Sequence, residues 1–205
     1  MERAKDAGLF RYMERPADLP DHLGGSSMRS HYDPVTLMYL RDRCGVRTMI
    51  DLGCGPGANV ITANRLGIEA WGIDGDPNCL PDLLHDFTKG PLHPAQSVDL
   101  VWSMEFLEHV EEQYLDNFMP VFEAGKYAMV TFAPPGHPGH HHVNCQPQEY
   151  WVDVFAARGM QFMADETAEI RKRSSMCTVL IPSGVVRSPS HKQFIARNGL
   201  LFYRG

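Results

Sequence analysis

The chain has 205 residues, 43% of them hydrophobic and 21% charged, with a formal net charge of −6. That length supports one hydrophobic core, the composition excludes disordered and fibrous classes, and the acidic balance disfavours long nucleic acids, whose binding rests on cationic surface. No apolar run approaches a membrane span, Met1-Glu2-Arg3-Ala4-Lys5-Asp6 lacks a signal-peptide core, and five cysteines without paired spacing fit reduced thiols, so a cytoplasmic protein is expected.

Residues 1–30 are polar and rich in Pro, Gly and Ser, and segment 1–33 is expected to cap a domain formed by 34–205. Asp33 is a plausible N-cap with proline directly after it, which predicts a helix from about Pro34 to Cys44. A first strand is predicted over 47–52, a helix over 58–67 and a second strand over 69–74. A short third strand ends near Leu84-His85-Asp86-Phe87, and Val98–Ser103 is the fourth. Tyr114, Phe118, Val121 and Phe122 recur at the spacing of one helix face. Tyr127–Ala133 is the fifth strand, followed by a Pro/Gly/His loop. A helix from about Pro147 to Arg158 then turns Trp151, Val154 and Phe155 inward and stops at Gly159. The remainder, 160–205, holds a strand, a polar helix and a final strand at Leu200–Tyr203. Arg171-Lys172-Arg173 reads as a solvated helix face. Repeated strand–helix units predict an α/β fold with a mostly parallel sheet, helices on both faces, and ligands at the strands' C-terminal ends.

The run Thr48–Leu52 breaks into glycines at 53, 55 and 57, which let backbone approach a ligand closely. A helix starting after Gly57 aims free N–H groups at a carboxylate or phosphate. Asp74, at the end of the second strand, stands where a carboxylate takes both hydroxyls of a ribose. A nucleoside ligand follows. Gly53-x-Gly55-x-x-Ala58 also fits a dinucleotide fingerprint, but Asp51 would repel a pyrophosphate and suits a ligand bearing an ammonium group.

Asp51-Leu52-Gly53-Cys54-Gly55-Pro56-Gly57 resembles the first motif of class I S-adenosylmethionine-dependent methyltransferases. The resemblance covers about residues 34–160, with the final strand consistent. It implies a Rossmann-like fold on a mostly parallel seven-stranded sheet, with S-adenosylmethionine bound by Asp51, Gly53, Gly55, Gly57, Asp74, Asp86, Phe87 and Ser103. In that family an acid after the third strand accepts from the adenine amine and an apolar neighbour covers the ring, which would be Asp86 and Phe87; an ordinary loop acid is the other reading. Cys54 is a packing choice within the loop. The Pro-Gly-Gly turn frequent before the fifth strand is Glu123-Ala124-Gly125-Lys126 here, which leaves the cofactor assignment intact.

Glu105, Glu108 and His109 follow the fourth strand at i, i+3 and i+4, a spacing that one helical turn gathers on one face. Two carboxylates and an imidazole at a ligand-binding edge make a candidate site for Mg2+ or Mn2+. The loop Gly136-His137-Pro138-Gly139-His140-His141-His142 could complete it. The pattern is similar to ubiquinone-pathway O-methyltransferases and to small-RNA 2′-O-methyltransferases. The latter places His142, with His140 as the alternative, beside Glu105, Glu108 and His109 around a metal. Many class I enzymes carry the same acidic pattern without metal, and there the histidine loop would be a substrate-facing lid; structural zinc is not indicated, because no cysteine pair accompanies the histidines. His109 or His142 is the expected general base. Arg29, His31 and Tyr32 either close over the cofactor or lead into the first helix. The expected activity is O-methylation of a small hydroxylated molecule, with an RNA-end 2′-O-methyltransferase or a non-catalytic S-adenosylmethionine-binding module as alternatives.

Overall fold

The computed structural model describes residues 19–23, 29–181 and 183–205. The expected capping segment over 1–33 falls largely on residues 1–18 and 24–28, outside the described residues.

The first strand of the main sheet is β2, Thr48–Leu52, after β1 (Arg29–Tyr32) and α1 (Pro34–Arg43). Then come α2 (Ala58–Arg65), β3 (Glu69–Asp74), β4 (Leu83–Leu84), β5 (Val98–Ser103), α3 (Leu115–Glu123) and β6 (Gly125–Val130). The C-terminal part holds α4 (Gln148–Ala157), β7 (Gln161–Phe162), α5 (Ala164–Arg173), β8 (Cys177–Leu180), β9 (Val185–Arg187), α6 (Phe194–Asn198) and β10 (Leu200–Tyr203). Seven strands form one sheet in the order β4-β3-β2-β5-β6-β10-β7, parallel except for β10, which is antiparallel to both its neighbours. Strand order reverses at β2, so the loops after β2 and β5 diverge and leave a crevice at the C-terminal edge.

Both faces of the sheet are covered, which is why β2 and β5 are apolar at successive positions rather than alternate ones. Ile50, Val101, Ala128 and Phe202 pack beneath Phe118 and Phe122 of α3 and Trp151 and Phe155 of α4. Met49, Leu100, Trp102, Met129 and Leu201 meet Leu37 and Leu40 of α1, Ala63 of α2, Ile170 of α5 and Ile195 of α6. Among the described residues, no helix is long and apolar enough to cross a membrane.

Several boundaries differ from the expectations. The fifth strand stops at Val130, because the Thr131 side chain turns to the Glu105 backbone and prolines follow at 134 and 135. Tyr114 belongs to a 3-10 turn before α3, not to the helix face. The larger difference is a second sheet, antiparallel in the order β1-β8-β9, pairing Arg29 with Leu180 and Tyr32 with Cys177. It draws residues 29–32 into the fold beside α2, where Asn59 Nδ2 donates to the His31 carbonyl.

Asp33 joins the two sheets. It is fully buried, caps α1 by accepting from Thr36 N at 2.9 Å, and accepts from Ser174 Oγ and Ser175 N beyond α5. Its own N–H donates to Asn59 Oδ1. Asp33→Ala should therefore cost about 2–4 kcal/mol in urea unfolding, more than a cap alone, because buried donors lose their acceptor. A loss below about 1 kcal/mol would reduce Asp33 to a simple helix cap.

Candidate active site

The loop after β2 has glycine where the backbone is left-handed: φ is +74° at Gly53, +50° at Gly55 and +81° at Gly57. At Gly53 a Cβ would also stand 2.7–2.9 Å from the Phe106 side chain. Gly53 N and Cys54 N both donate to the Ile73 carbonyl, and Gly55 N donates to Asp74 Oδ2 at 2.7 Å. The loop is thus pinned to the end of β3. Burial first, then the Asp74 and Asp51 charges, hold the Cys54 thiol well above its usual range, so it stays protonated and is no nucleophile.

A cavity of about 420 Å³ opens over this loop, walled by Asp51, Gly53, Gly55, Asp74, Asp86 and Phe87 among others. Asp51 is 1% exposed, and its Oδ2 has no hydrogen-bond partner. Burial, then the neighbouring Asp74 charge, raises its carboxyl well above the usual range. Asp74 is raised by burial too, against the opposing effect of donors from Asp76 N and Gly55 N. Two adjoining buried carboxylates, one of them with an unpartnered oxygen, favour a cationic ligand group.

Asp86 caps the turn at Phe87–Lys89, accepting on Oδ1 from Thr88 N and Oγ1, while His22 Nε2 lies 3.3 Å from Oδ2. Burial alone would raise it, but these bonds outweigh burial and hold the carboxyl low. Phe87 sits mostly in the core against Phe106 and Phe118. Two expected cofactor residues stand apart from the wall. Ser103 is buried with its hydroxyl donating to the Leu52 carbonyl, so Met104 takes the wall position, and Gly57 shapes the start of α2 instead.

The turn after β5 departs from the expected helix. Glu105 has φ +56°, and a 3-10 turn covers only Leu107–His109, so the three side chains do not share one helical face. Glu105 is held by Thr131, whose hydroxyl accepts from Glu105 N at 2.8 Å and donates to Oε1 at 3.2 Å. The histidine loop reaches this turn through Val143 N and Asn144 N, both donating to the Glu108 carbonyl.

Glu108, His109 and His142 consequently converge, with ligand atoms all within 4.8 Å of one another. Glu105 is outside that group, and His140 turns away to meet the Asp21 carbonyl. Glu108 is fully buried and neither carboxylate oxygen has a hydrogen-bond partner. Its carboxyl is pushed well above the usual range by burial and then by the Glu105 charge, while burial pushes Glu105 up to about 7. Burial, then the His142 charge, pushes His109 down to about 4, so its imidazole is neutral near pH 7. Thr131 and His22 carry no motif and were outside the sequence reading; only contact across the strands assigns them here.

Residues 50–128 match the family model described as a methyltransferase domain. The match runs from β2 into β6 and takes in the glycine loop, Asp51, Asp74, Asp86 and the turn at Glu105. The fold is similar to the methyltransferase domain of bacterial CtHen1-C, at 16% identity and TM-score 0.53 over 84% of this chain and 98% of that one. It is also similar to a structure titled for the conversion of a disulfide bond into a thioacetal group during echinomycin biosynthesis, at 14% identity and TM-score 0.52, covering 84% and 82%. No curated protein matches the chain in sequence.

The cavity is also lined by Arg29 and His31 of β1 in the small sheet and by Lys192 between β9 and α6. His31 Nδ1 lies 2.9 Å from Thr178 Oγ1, and burial, then the charges of Lys192, His191 and Arg29, push its pKa down to about 4. An unfolded histidine titrates at about 6.5. Between those values the folded chain binds fewer protons, so stability should rise with pH through that window and fall as pH drops. His31→Gln should flatten this rise when urea midpoints are compared at about pH 5 and about pH 7.5. An unchanged slope would mean that His31 is not held neutral.

Proposed function

We propose that the protein transfers the methyl group of S-adenosylmethionine to a hydroxyl oxygen of a small molecule, with Glu108, His109 and His142 holding a divalent cation beside the acceptor. One observation carries this reading: a fully buried carboxylate, Glu108, has no hydrogen-bond donor yet faces two imidazoles. A buried carboxylate is either neutralised by a proton or paired with a cation. A carboxylate and two nitrogen ligands suit several first-row metals as well as magnesium, and availability selects among them. Glu105 lies next to the group and adds a further oxygen donor if it turns from Thr131.

On the cofactor side, Asp51 would take the ammonium and the loop at Gly53 and Gly55 would admit the methionine backbone closely. Asp74 would accept from the ribose hydroxyls, with Asp86 and Phe87 at the adenine. S-adenosylmethionine supplies a sulfonium methyl already activated for attack. What remains for the protein is to hold the acceptor oxygen in line and to receive its proton. With both imidazoles on the cation, Glu105, with its carboxyl near 7, takes that role; without a cation, His109, neutral at pH 7, is the base. A bound cation would lower the pKa of the acceptor hydroxyl. The cavity volume, about 420 Å³ in all, and the net charge of −6 favour a small acceptor over a polymer.

Calorimetry with S-adenosylhomocysteine and NADH tests the cofactor. S-adenosylhomocysteine should bind, and Asp74→Ala should weaken it by about 1–3 kcal/mol, the scale of a lost charge-assisted hydrogen bond. Binding of NADH alone would overturn the reading.

The cation is tested by Mn2+ titration followed by electron paramagnetic resonance. Glu108→Gln and His142→Ala should each lower Mn2+ affinity by about tenfold or more while leaving S-adenosylhomocysteine affinity nearly unchanged. Full turnover after exhaustive chelation would remove the metal and leave His109 as the base.

A further inference from the structure

Two cations on the cavity wall, Arg29 at the start of β1 and Lys192 between β9 and α6, have no role in the chemistry above. Among the described residues neither forms an ion pair, although the same cavity is lined by several carboxylates. Lys192 has an exposed side chain, but its backbone is fixed. Ser190, 5% exposed, donates its N–H to the Met176 carbonyl at 2.7 Å, and its hydroxyl lies 2.6 Å from Thr178 Oγ1 and accepts from Lys192 N at 3.0 Å. Gln193 Nε2 closes the turn on the Ser190 carbonyl. Through Thr178 the same chain of contacts reaches His31.

The ammonium of Lys192 stands 5.8 Å from the centre of the Phe194 ring, which in turn packs edge-on against His31. The lysine lines the same cavity as Glu105 and His109, and its charge acts on both His31 and Glu105. Arg29 lies on β1, the strand that Asn59 ties to the first turn of α2, and lines the same cavity as the glycine loop. S-adenosylmethionine has a single carboxylate at its methionine end, and one cation satisfies it. Arg29 is placed for that group, which leaves Lys192 facing the acceptor.

We propose that Lys192 binds a carboxylate or phosphate carried by the methyl acceptor, so that the substrate is a small hydroxylated anion. This rests on the methyltransferase reading of the cavity and narrows its substrate class. An ammonium on a fixed backbone, beside an apolar ring and in the same cavity as the groups that would handle the hydroxyl, recognises a molecule with an acidic group at one end and a hydroxyl at the other. A neutral catechol or sugar would leave the lysine's charge unmatched.

Calorimetry on the full chain saturated with S-adenosylhomocysteine tests this with 3,4-dihydroxybenzoate, catechol and inorganic phosphate as probes. The benzoate should bind about tenfold tighter than catechol, and Lys192→Met should erase that advantage while S-adenosylhomocysteine affinity stays within about twofold. Displacement of the benzoate by inorganic phosphate from the wild-type protein, but not from the variant, supports phosphorylated acceptors as the source of the anion. Arg29→Met should give the opposite pattern, losing about tenfold in S-adenosylhomocysteine affinity. Equal affinity for benzoate and catechol in the wild type overturns the proposal, as does failure of every anion to bind, or a preference that survives in Lys192→Met. A large loss of S-adenosylhomocysteine by Lys192→Met also overturns it, because the lysine then serves the cofactor. Failure of the wild type to bind S-adenosylhomocysteine strikes the methyltransferase reading separately, and the same anion titrations on the unloaded protein still decide the lysine.

Discussion

Carboxylates buried at the C-terminal edge of one sheet are the constraint around which this molecule is arranged. Asp51 and Glu108 are almost wholly removed from solvent, and each has at least one oxygen without a donor. Ionised carboxylates in that setting are costly, and each is pushed toward its protonated form by burial and then by a second acid, Asp74 for Asp51 and Glu105 for Glu108. Two acidic pairs thus lie at this edge, with Asp51, Asp74 and Glu105 lining the cavity and Glu108 buried behind it. Ligands that bring positive charge to them stabilise the folded chain by mass action, so binding and stability are coupled here.

The fold supports this arrangement because its core lies elsewhere. The apolar layers above and below β2, β5, β6 and β10 hold the strands, and their C-terminal ends are left free to carry polar groups. The loop at Gly53 can turn sharply because its glycines accept positive φ, and Gly55 N then contributes a donor to Asp74. The turn at Glu105 does the same work with a residue that disfavours positive φ. Its strain is offset by Thr131, which binds both the backbone and the carboxylate of Glu105.

How far the sequence can be read follows from the same physics. β3 and β5 have the expected ends, Glu69–Asp74 and Val98–Ser103, because continuous apolar runs bounded by polar turns identify buried strands. The glycine loop was legible for a similar reason: its residue types are dictated by backbone geometry. The helical spacing of Glu105, Glu108 and His109 misled in part, since it presumes right-handed helix at a position that is left-handed. Even so, Glu108 and His109 meet His142, by way of backbone bonds from Val143 and Asn144 that no periodicity reveals. Ser103 looked available at a strand end but is spent on the Leu52 carbonyl. The second sheet was illegible, because β1, β8 and β9 have four residues or fewer and β1 pairs with β8 across more than a hundred positions of sequence.

That second sheet changes what net charge means for this chain. A formal charge of −6 describes the chain as a whole, whereas the cavity holds both signs, with Asp51, Asp74 and Glu105 from the large sheet's edge and Arg29 and Lys192 among its lining. His31 remains neutral near pH 7, because burial first, and then the charges of Lys192, His191 and Arg29, push its imidazole down. Arg29 and Lys192 are therefore the fixed cations of a cavity also lined by acids, and a cavity with both signs of charge suits ligands that carry both.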